Sequence, residues 1–260
     1  MRIRPSGIIT GALYRLYQRR LLRQVRQGPV PRHIAIIMDG NRRFAREIGL
    51  TPSSGHLEGK NKLEEVLTWC MEIGIKVLTV YAFSTENFQR DREEVKELMQ
   101  IFEESFNAAA RDPKVHQHGI RIRAIGDLSL LPEDVRRAIA HAEECTKDYD
   151  SYIFNIAVAY GGREEIVQGM RAIAAKVRSG ALEPEDINEE LFSSHLYTAE
   201  LPDPDLILRT SGEERISNFL LWQLAYSELY FTDVYWPGLR KIDLLRAVRS
   251  YQMRRRRYGR

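Results

Sequence analysis

The strongest constraint on the fold of this chain is a regular alternation of short apolar runs with longer segments of helical periodicity. The apolar runs predict buried strands at residues 34–38, 77–83, 120–125, 152–159, 205–208 and 229–234. Helical spacing predicts helices over residues 8–27, 57–73, 93–110, 132–147, 163–178 and 242–253. Repeated strand–helix units are typical of a single α/β domain with a mostly parallel central sheet flanked by helices.

The chain divides into a short basic arm, residues 1–30, and a main domain, residues 31–260. Residues 1–27 hold seven arginines and no acidic residue, so the formal charge of +3 leaves −4 on residues 28–260. Tyr14, Tyr17, Leu21 and Val25 share one face of the predicted first helix. This helix either lies on an anionic membrane surface or forms a solvated arm or a helix packed on its own domain, and the sequence leaves these alternatives open.

Several classes of protein are excluded by what the sequence lacks. It has no apolar run of about 18 residues and no secretory leader pattern, so we expect a cytoplasmic protein with at most peripheral membrane contact. A phosphate-binding P-loop, a dinucleotide-binding GxGxxG after the first strand, a GxSxG elbow and cysteine–histidine zinc spacing are all missing.

Three polar loops follow predicted strands. They are residues 39–43 after the first strand, 84–87 after the second and 209–212 after a later one. Because ligands of such sheets bind beyond the carboxyl ends of the strands, we expect these loops to form one site.

The first of these loops combines a carboxylate with two arginines. Asp39 ends an apolar strand, where an unpaired carboxylate is costly, and Gly40 beside it permits close backbone approach. With Arg42 and Arg43, this arrangement suits Mg²⁺ plus a diphosphate. An ordinary Asp–Arg salt bridge at the end of a strand explains the same residues nearly as well.

The last loop predicts a second anion site. Arg209 and Arg215 alternate with Ser211 and Ser217, and arginine binds phosphate oxygens bidentately. Two anion sites imply two phosphorylated substrates. The alternative is that these arginines pair with Glu213 or Glu214.

At this point the sequence resembles the cis-prenyltransferase family, which includes the undecaprenyl and dehydrodolichyl diphosphate synthases, over residues 33–235. The resemblance rests on HIAIIMDGNRRFA (33–45), GH (55–56), LTVYAFSTENFQR (78–90), IRIRAIGD (120–127), FNIAVAYGGREEIV (154–167) and LILRTSGEERISNFLLWQLAYSELYFTDVYWP (206–237). The first and last of these segments look closest to archaeal and eukaryotic members. The DDxxD metal motif of trans-type enzymes is absent.

The resemblance implies a role for each matching residue. Asp39 is expected to bind Mg²⁺ and act in catalysis, Asn87 to be the second catalytic residue, and Glu228 to be the second carboxylate of the metal site. The allylic diphosphate is expected to contact Gly40, Asn41, Arg42, Arg43, Phe44 and His56. The segment Ser84, Thr85, Glu86 and Asn87 is expected to position the substrates and assist proton loss, and Phe88 to contact prenyl groups. Isopentenyl diphosphate is expected to contact Arg90, Arg209, Arg215, Ile216 and Ser217.

The resemblance also implies the reaction. The enzyme would condense isopentenyl diphosphate sequentially onto geranylgeranyl or farnesyl diphosphate, giving a long-chain polyprenyl diphosphate that serves as precursor of a glycosyl carrier lipid. An apolar tunnel would hold the growing chain, with Ala82 at its mouth. Residues 98–106 would line it, although each apolar member of that stretch is individually better explained as core packing.

Two positions depart from the pattern of the family. Pro52 stands where many bacterial members have arginine, and Glu214 where some members have histidine, so details of diphosphate and metal binding are open. The terminal Arg257, Tyr258 and Gly259 match an RxG element that reaches a neighbouring active site. This match predicts a homodimer with residues 218–235 as candidate interface.

Two rival functions are weaker. A non-catalytic accessory subunit of the family would lack Asp39 and Asn87, which are present. A nucleic-acid-binding protein would place aromatic residues within a basic groove, whereas the three loops mix acids with arginines. We therefore expect no nucleic-acid partner.

Overall fold

A computed structural model of the chain describes the backbone of residues 5–258 and the side chains of residues 14–254. Within this part the strands are β1 (His33–Ile37), β2 (Val77–Ser84), β3 (Ile120–Ile125), β4 (Tyr152–Tyr160), β5 (Leu206–Arg209) and β6 (Glu228–Phe231). The helices are α1 (Pro5–Gln27), α2 (Asn41–Glu47), α3 (Pro52–Ile73), α4 (Arg92–Ala109), α5 (Pro113–His118), α6 (Glu133–Thr146), α7 (Gly162–Arg178), α8 (Glu189–Ser193) and α9 (Lys241–Tyr258).

The described strands form one sheet in the order β3-β4-β2-β1-β5-β6. Every pairing is parallel, so all six carboxyl ends lie at one edge of the sheet. This confirms the predicted single α/β domain with a parallel central sheet.

The two faces of the sheet bury different apolar clusters. Ile34 and Ile36 of β1 join the larger cluster, which includes residues of α1, α3, α4, α6 and α9. Ala35 and Ile37 point the other way and pack with Tyr81, Tyr160 and Phe219. Because successive strand residues face opposite sides, the continuous apolar run of β1 is explained by burial on both faces.

The main departure from the predicted elements is α2, which occupies a segment expected to be a loop. Gly40 adopts a left-handed φ of 105° and ends the strand in a single turn, so the helix begins at once. The next helix, α3, begins at Pro52 rather than residue 57, because Thr51 caps it and accepts a hydrogen bond from the Ser54 N–H. The last strand is also shorter than expected and begins at Glu228.

The C-terminal half of α1 is part of the main domain rather than a free arm. Leu21 and Val25 are fully buried, and α1 packs against α9 and α3. Tyr14, Leu16 and Tyr17 remain exposed. No helix among the described residues is long and apolar enough to cross a bilayer.

A buried histidine near the start of β1 predicts how stability depends on pH. His33 is fully buried, with Nδ1 2.6 Å from the Pro202 carbonyl oxygen and Nε2 2.7 Å from Thr79 Oγ1. Burial lowers the pKa of His33 to about 4, although the Pro202 carbonyl and Asp205 oppose the shift. Nδ1–H therefore donates to Pro202, and the neutral Nε2 accepts from Thr79.

We expect the free energy of unfolding to fall as the pH drops from about 6.5 to about 4. In this window the unfolded chain binds a proton that folded His33 does not, and the loss approaches roughly 3 kcal/mol. Urea unfolding at several pH values, with His33→Gln as the comparison, measures this effect. Parallel pH profiles for parent and variant would contradict it.

Candidate active site

A cavity of about 1110 Å³ lies at the carboxyl edge of the sheet, where β1, β2, β4 and β5 end. It brings the three predicted loops together. The predicted site residues that line it are Asp39, Gly40, Asn41, Arg42, Arg43, His56, Ser84, Glu86, Asn87, Arg90, Arg209, Arg215, Ile216 and Ser217.

The lining of this cavity is strongly cationic. Its arginines are Arg42, Arg43, Arg46, Arg90, Arg163, Arg209 and Arg215, and its carboxylates are Asp39, Glu86 and Glu164. Seven guanidinium groups against three carboxylates make this a site for anions with several negative charges.

Asp39 lies at the centre of the polar network. Its Oδ2 accepts a hydrogen bond from Arg209 at 2.8 Å, and Arg43 lies 3.4 Å from the carboxylate. Burial opposes ionisation, but hydrogen bonds from Arg209 and Ser211 and the charges of Arg209 and Arg43 more than offset it. The pKa of Asp39 is therefore held below its ordinary value, and the side chain is a carboxylate at neutral pH.

Arg209 is fixed from several sides. Its side chain is 4% exposed, and Nη1 donates to the Arg215 carbonyl oxygen at 2.5 Å and to Ser217 Oγ at 2.7 Å. The Nε–H has no partner among the described residues. Arg209 thus joins Asp39 to the loop that carries Arg215 and Ser217, and it holds that loop in a defined shape.

Glu213 pairs with two arginines at the rim of the cavity. Arg43 Nη1 lies 3.1 Å from it and Arg215 Nη1 lies 2.5 Å away. The alternatives from the sequence are therefore correct for the Asp39–Arg43 and Arg215–Glu213 salt bridges, whereas Arg209 pairs with Asp39 rather than with Glu213 or Glu214. These contacts do not remove the anion site, because Arg215 remains 62% exposed and lines the cavity.

A second cluster centres on Glu94 of α4. Its carboxylate lies 3.1 Å from Arg90 Nη1, 3.2 Å from His56 Nε2 and 3.9 Å from Arg42 Nε. Burial lowers the pKa of His56, and the charges of Arg90 and Arg42 add to this against the opposing effect of Glu94. Glu94 thus holds together side chains from α2, α3 and the segment before α4.

Gly55 lets α2 lie directly on α3. A Cβ at this position would lie 2.5 Å from the Asn41 carbonyl oxygen and 2.9 Å from Ala45 Cβ. Because α2 carries Arg42 and Arg43, the positions of these two side chains in the cavity depend on the close approach of α2 to α3.

We expect Gly55→Ala to shift α2, because its backbone has to move to admit a methyl group. Overpacking of this kind costs about 1–3 kcal/mol of stability, and the displaced arginines should lower kcat/KM for the substrate expected at this loop about tenfold or more. Thermal unfolding and initial rates measure both effects. The control is Gly169→Ala, where the nearest atom lies at an ordinary 3.4 Å. Equal rates for the two variants would contradict this role of Gly55.

An apolar cavity of about 390 Å³ continues from the polar one, between α3, α4 and the sheet. The two cavities share Met38, Asn41, His56, Ala82 and Leu98. Leu98, Ile101, Phe102, Ser105 and Phe106 of α4 line the apolar part. This cavity lies where the sequence predicted a tunnel, and Ala82 lies at its junction with the polar cavity.

Three predicted contact residues lie beside the cavity rather than in its wall. They are Phe44, Thr85 and Phe88, none of which lines it. The Phe88 ring instead packs edge-on against Phe83, with centroids 4.8 Å apart.

The prediction that Glu228 completes a metal site with Asp39 is wrong within a single chain. Glu228 pairs with Leu206 at the amino end of β5, whereas Asp39 follows the carboxyl end of β1. Its carboxylate accepts a hydrogen bond from Arg254 at 2.9 Å, and it lines neither cavity. A sequence match cannot reveal which end of a short strand carries a residue.

Several residues of the site were not predicted. Arg46, Arg163, Glu164 and Asn218 line the polar cavity, and Glu94 supports it. Arg163 and Glu164 begin α7 directly after β4, so the rule that located Asp39 also applies to them.

The two residues that depart from the family pattern, Pro52 and Glu214, line neither cavity. Pro52 opens α3, and Glu214 is exposed and lies outside both cavities. Gly259 and the side chains of Arg257 and Tyr258 lie outside the described residues.

Comparison with known proteins gives consistent matches. The family described as "Putative undecaprenyl diphosphate synthase" matches residues 37–259. Proteins named tritrans,polycis-undecaprenyl-diphosphate synthase (geranylgeranyl-diphosphate specific) are similar along nearly their whole length. The one from Methanopyrus kandleri is 56% identical over 95% of this chain and 92% of its own, and the one from Pyrococcus horikoshii is 56% identical over 95% and 94%.

Two solved structures share the fold. Lavandulyl diphosphate synthase from Lavandula x intermedia, in complex with dimethylallyl diphosphate, has a TM-score of 0.81 and 43% identity over 86% of this chain and 95% of its own. A probable undecaprenyl diphosphate synthase from Campylobacter jejuni has a TM-score of 0.72 and 34% identity over 89% and 100%.

Proposed function

Because this chain belongs to the undecaprenyl diphosphate synthase family and is a cis-prenyltransferase, we propose that it extends geranylgeranyl diphosphate with isopentenyl diphosphate. The product would be a long polyprenyl diphosphate of undecaprenyl length, used as a glycosyl carrier lipid. The choice of primer and the product length follow the names of the archaeal relatives.

One observation carries this proposal: the cationic cavity opens into the apolar one. An allylic diphosphate has a head with several negative charges and a hydrocarbon tail. The arginines of the polar cavity match the head, and the wall formed by α3, α4 and the sheet matches the tail. The growing chain would enter past Ala82.

We propose that the allylic head binds at Asp39, Gly40, Asn41, Arg42 and Arg43. No group of three or more potential metal ligands occurs among the described residues, but Mg²⁺ commonly uses one carboxylate together with phosphate oxygens. Asp39, whose side chain is 27% exposed and faces the cavity, fits that donor set. Bound there, Mg²⁺ would neutralise the charge that develops on the departing diphosphate.

The second diphosphate would bind at Arg209, Arg215 and Ser217, which lie at or after the carboxyl end of β5. The Arg209 guanidinium contacts both Asp39 and the Arg215–Ser217 loop, so it fixes the distance between the two sites. Arg90 would also contribute to this site. This arrangement holds two substrates in one orientation, which is a large part of the catalysis of such reactions.

In the proposed reaction the allylic C–O bond breaks and the diphosphate leaves. The isopentenyl double bond attacks the allylic carbon, and loss of a proton then gives a cis alkene. Arg42 and Arg43 would stabilise the departing charge. The segment Ser84–Asn87, whose Asn87 Oδ1 accepts a hydrogen bond from the Ser84 N–H, would orient the proton that is lost.

The experiment that tests this function supplies labelled isopentenyl diphosphate with geranylgeranyl, farnesyl or dimethylallyl diphosphate and Mg²⁺. We expect the highest kcat/KM with geranylgeranyl diphosphate and, by mass spectrometry, products differing by whole isoprene units up to undecaprenyl length. Failure to incorporate label with any primer would reject the function. A preference for farnesyl diphosphate would reject only the proposed primer.

We also propose peripheral membrane contact through α1. Tyr14, Leu16 and Tyr17 are exposed beside Arg15 and Arg19, which suits an anionic lipid surface. Leu16→Gln with Tyr17→Gln should reduce sedimentation with anionic vesicles and leave turnover of short primers unchanged. Unaltered sedimentation would contradict this proposal.

A homodimer is proposed on the basis of the RxG element at Arg257–Gly259. Light scattering at assay concentration should give twice the chain mass. Arg257→Ala mixed with Asp39→Asn should recover activity, because each mixed dimer would keep one intact site. A monomeric mass would reject this proposal.

A further inference from the structure

At the cavity wall, the side-chain NH₂ group, the side-chain oxygen and the backbone carbonyl oxygen of Asn218 all take part in hydrogen bonds. Its Nδ2 donates to Glu86 Oε1 at 3.2 Å and to Glu164 Oε2 at 3.1 Å. Its Oδ1 accepts from the Arg163 N–H at 2.9 Å, and its carbonyl oxygen accepts from the Gly162 N–H at 2.7 Å. One side chain therefore joins the segment after β2, the start of α7 and the loop after β5.

The backbone around Asn218 is specialised for this contact. Asn218 has φ 62° and Ser217 has φ 47°, a left-handed conformation that asparagine tolerates better than most residues. Opposite it, a Cβ on Gly161 would lie 2.9 Å from Asn218 Nδ2, and one on Gly162 would lie 3.0 Å from the Asn218 carbonyl oxygen. The glycine pair leaves the space that Asn218 needs.

We propose that Asn218 is a positioning residue, which holds the Glu86 carboxylate at a fixed place relative to the Arg215–Ser217 anion loop. Asn218 follows Ser217 directly, and Ser217 Oγ accepts from Arg209 at 2.7 Å. A shift of the anion loop is thereby passed to Glu86 through a single amide. This inference rests on the proposed function in one respect, that isopentenyl diphosphate binds at this loop.

The Asn218 amide lies between two carboxylates and donates a hydrogen bond to each. Glu86 and Glu164 both line the cavity and both accept from the same NH₂ group, so their charges lie close together. Burial tends to raise the pKa of Glu86, but hydrogen bonds from its own N–H, Ser84, Asn218 and Thr85 lower it overall. Tyr81 also lies near Glu86, because burial and then the charge of Glu86 raise the pKa of this phenol. Arg90, Arg163 and Arg215 are cationic groups of the same cavity wall. Asn218 therefore supports an ionised and oriented Glu86.

The test begins with Asn218→Gly, because glycine accepts the left-handed backbone and removes only the side chain. We expect kcat/KM for isopentenyl diphosphate to fall about 10- to 100-fold, the range for losing hydrogen bonds to a charged group. The melting temperature should change by a few degrees at most. The matched control is Asn188→Gly, which removes a hydrogen bond from the Leu191 N–H outside both cavities and should keep parental rates.

Two further variants separate positioning from a merely structural role. Asn218→Asp keeps the acceptor for the Arg163 N–H but places a third carboxylate against Glu86 and Glu164, so it should lose more activity than Asn218→Gly. It should also move the acid limb of the pH–rate profile upward. In a Glu86→Gln background, Asn218→Gly should lower kcat/KM little further, because the carboxylate that Asn218 positions is already absent.

Calorimetric titration with isopentenyl diphosphate alone separates this inference from the proposed function. Binding that weakens about tenfold or more in Asn218→Gly supports positioning whatever the primer. Parental binding and parental kcat/KM in Asn218→Gly would overturn the inference. It would also be overturned if the effects of Asn218→Gly and Glu86→Gln on kcat/KM were fully additive in free energy. Neither result would affect the reaction assigned to the parent enzyme.

Discussion

Asp39→Asn will lower kcat by about a thousandfold while leaving the fold intact, an effect of the size seen when a central electrostatic group is lost. Asparagine keeps an oxygen that can accept from Arg209, so the buried guanidinium retains a partner. What disappears is the negative charge that suits Mg²⁺ and balances Arg209 and Arg43. Labelled isopentenyl diphosphate incorporation measures the rate, and circular dichroism checks the fold.

The control for this prediction is Asp243→Asn. Asp243 is also a buried carboxylate paired with an arginine, since Arg240 Nε lies 2.9 Å away, but it lies outside both cavities. Its amide variant should lose stability rather than turnover. If Asp39→Asn retained more than about a tenth of parental kcat, Asp39 would not have the central role assigned to it.

Ala82→Phe will shorten the product and nearly abolish use of long primers. Ala82 lines both cavities, so a phenyl ring there fills the passage between them. We expect kcat/KM for geranylgeranyl diphosphate to fall about a hundredfold or more, because the tail of the primer has no room. The rate with dimethylallyl diphosphate, whose tail is one isoprene unit, should fall much less.

Mass spectrometry of the products gives the direct reading of this variant. The control is Ala174→Phe, an exposed alanine of α7, which should give parental chain length. Full-length product from Ala82→Phe would mean that the chain does not pass between these cavities.

The sequence predicted the sheet because its signals are local. The apolar runs that became β1, β2, β3 and β4 lie within about two residues of their observed positions. The carboxyl-edge rule predicts that Asp39, Ser84 and Arg209 share one site, and all three line the polar cavity.

What the sequence could not predict depends on contacts between distant segments. Glu94 and Asn218 acquire their partners only when the helices pack, because their hydrogen bonds to His56 and Glu86 span 38 and 132 residues and leave no local pattern. Glu228 is a case in which the sequence led to a wrong position. It matches a motif, but the parallel register of β5 and β6 places it at the opposite edge of the sheet from Asp39.

The helix α2 was missed for a physical reason as well. Its sequence is polar and only seven residues long, so it has no apolar stripe to mark it. It forms because the left-handed Gly40 turns the chain and because Gly55 offers a flat surface on α3.

The most direct test of this account is a crystal structure with a non-hydrolysable allylic thiodiphosphate and isopentenyl diphosphate bound together. We predict one diphosphate against Asp39, Arg42 and Arg43, the other against Arg209 and Arg215, and the hydrocarbon tail past Ala82 between α3 and α4. A tail directed away from the apolar cavity, or both diphosphates outside the arginine-lined one, would contradict the division of the site into a cationic head site and an apolar tail site.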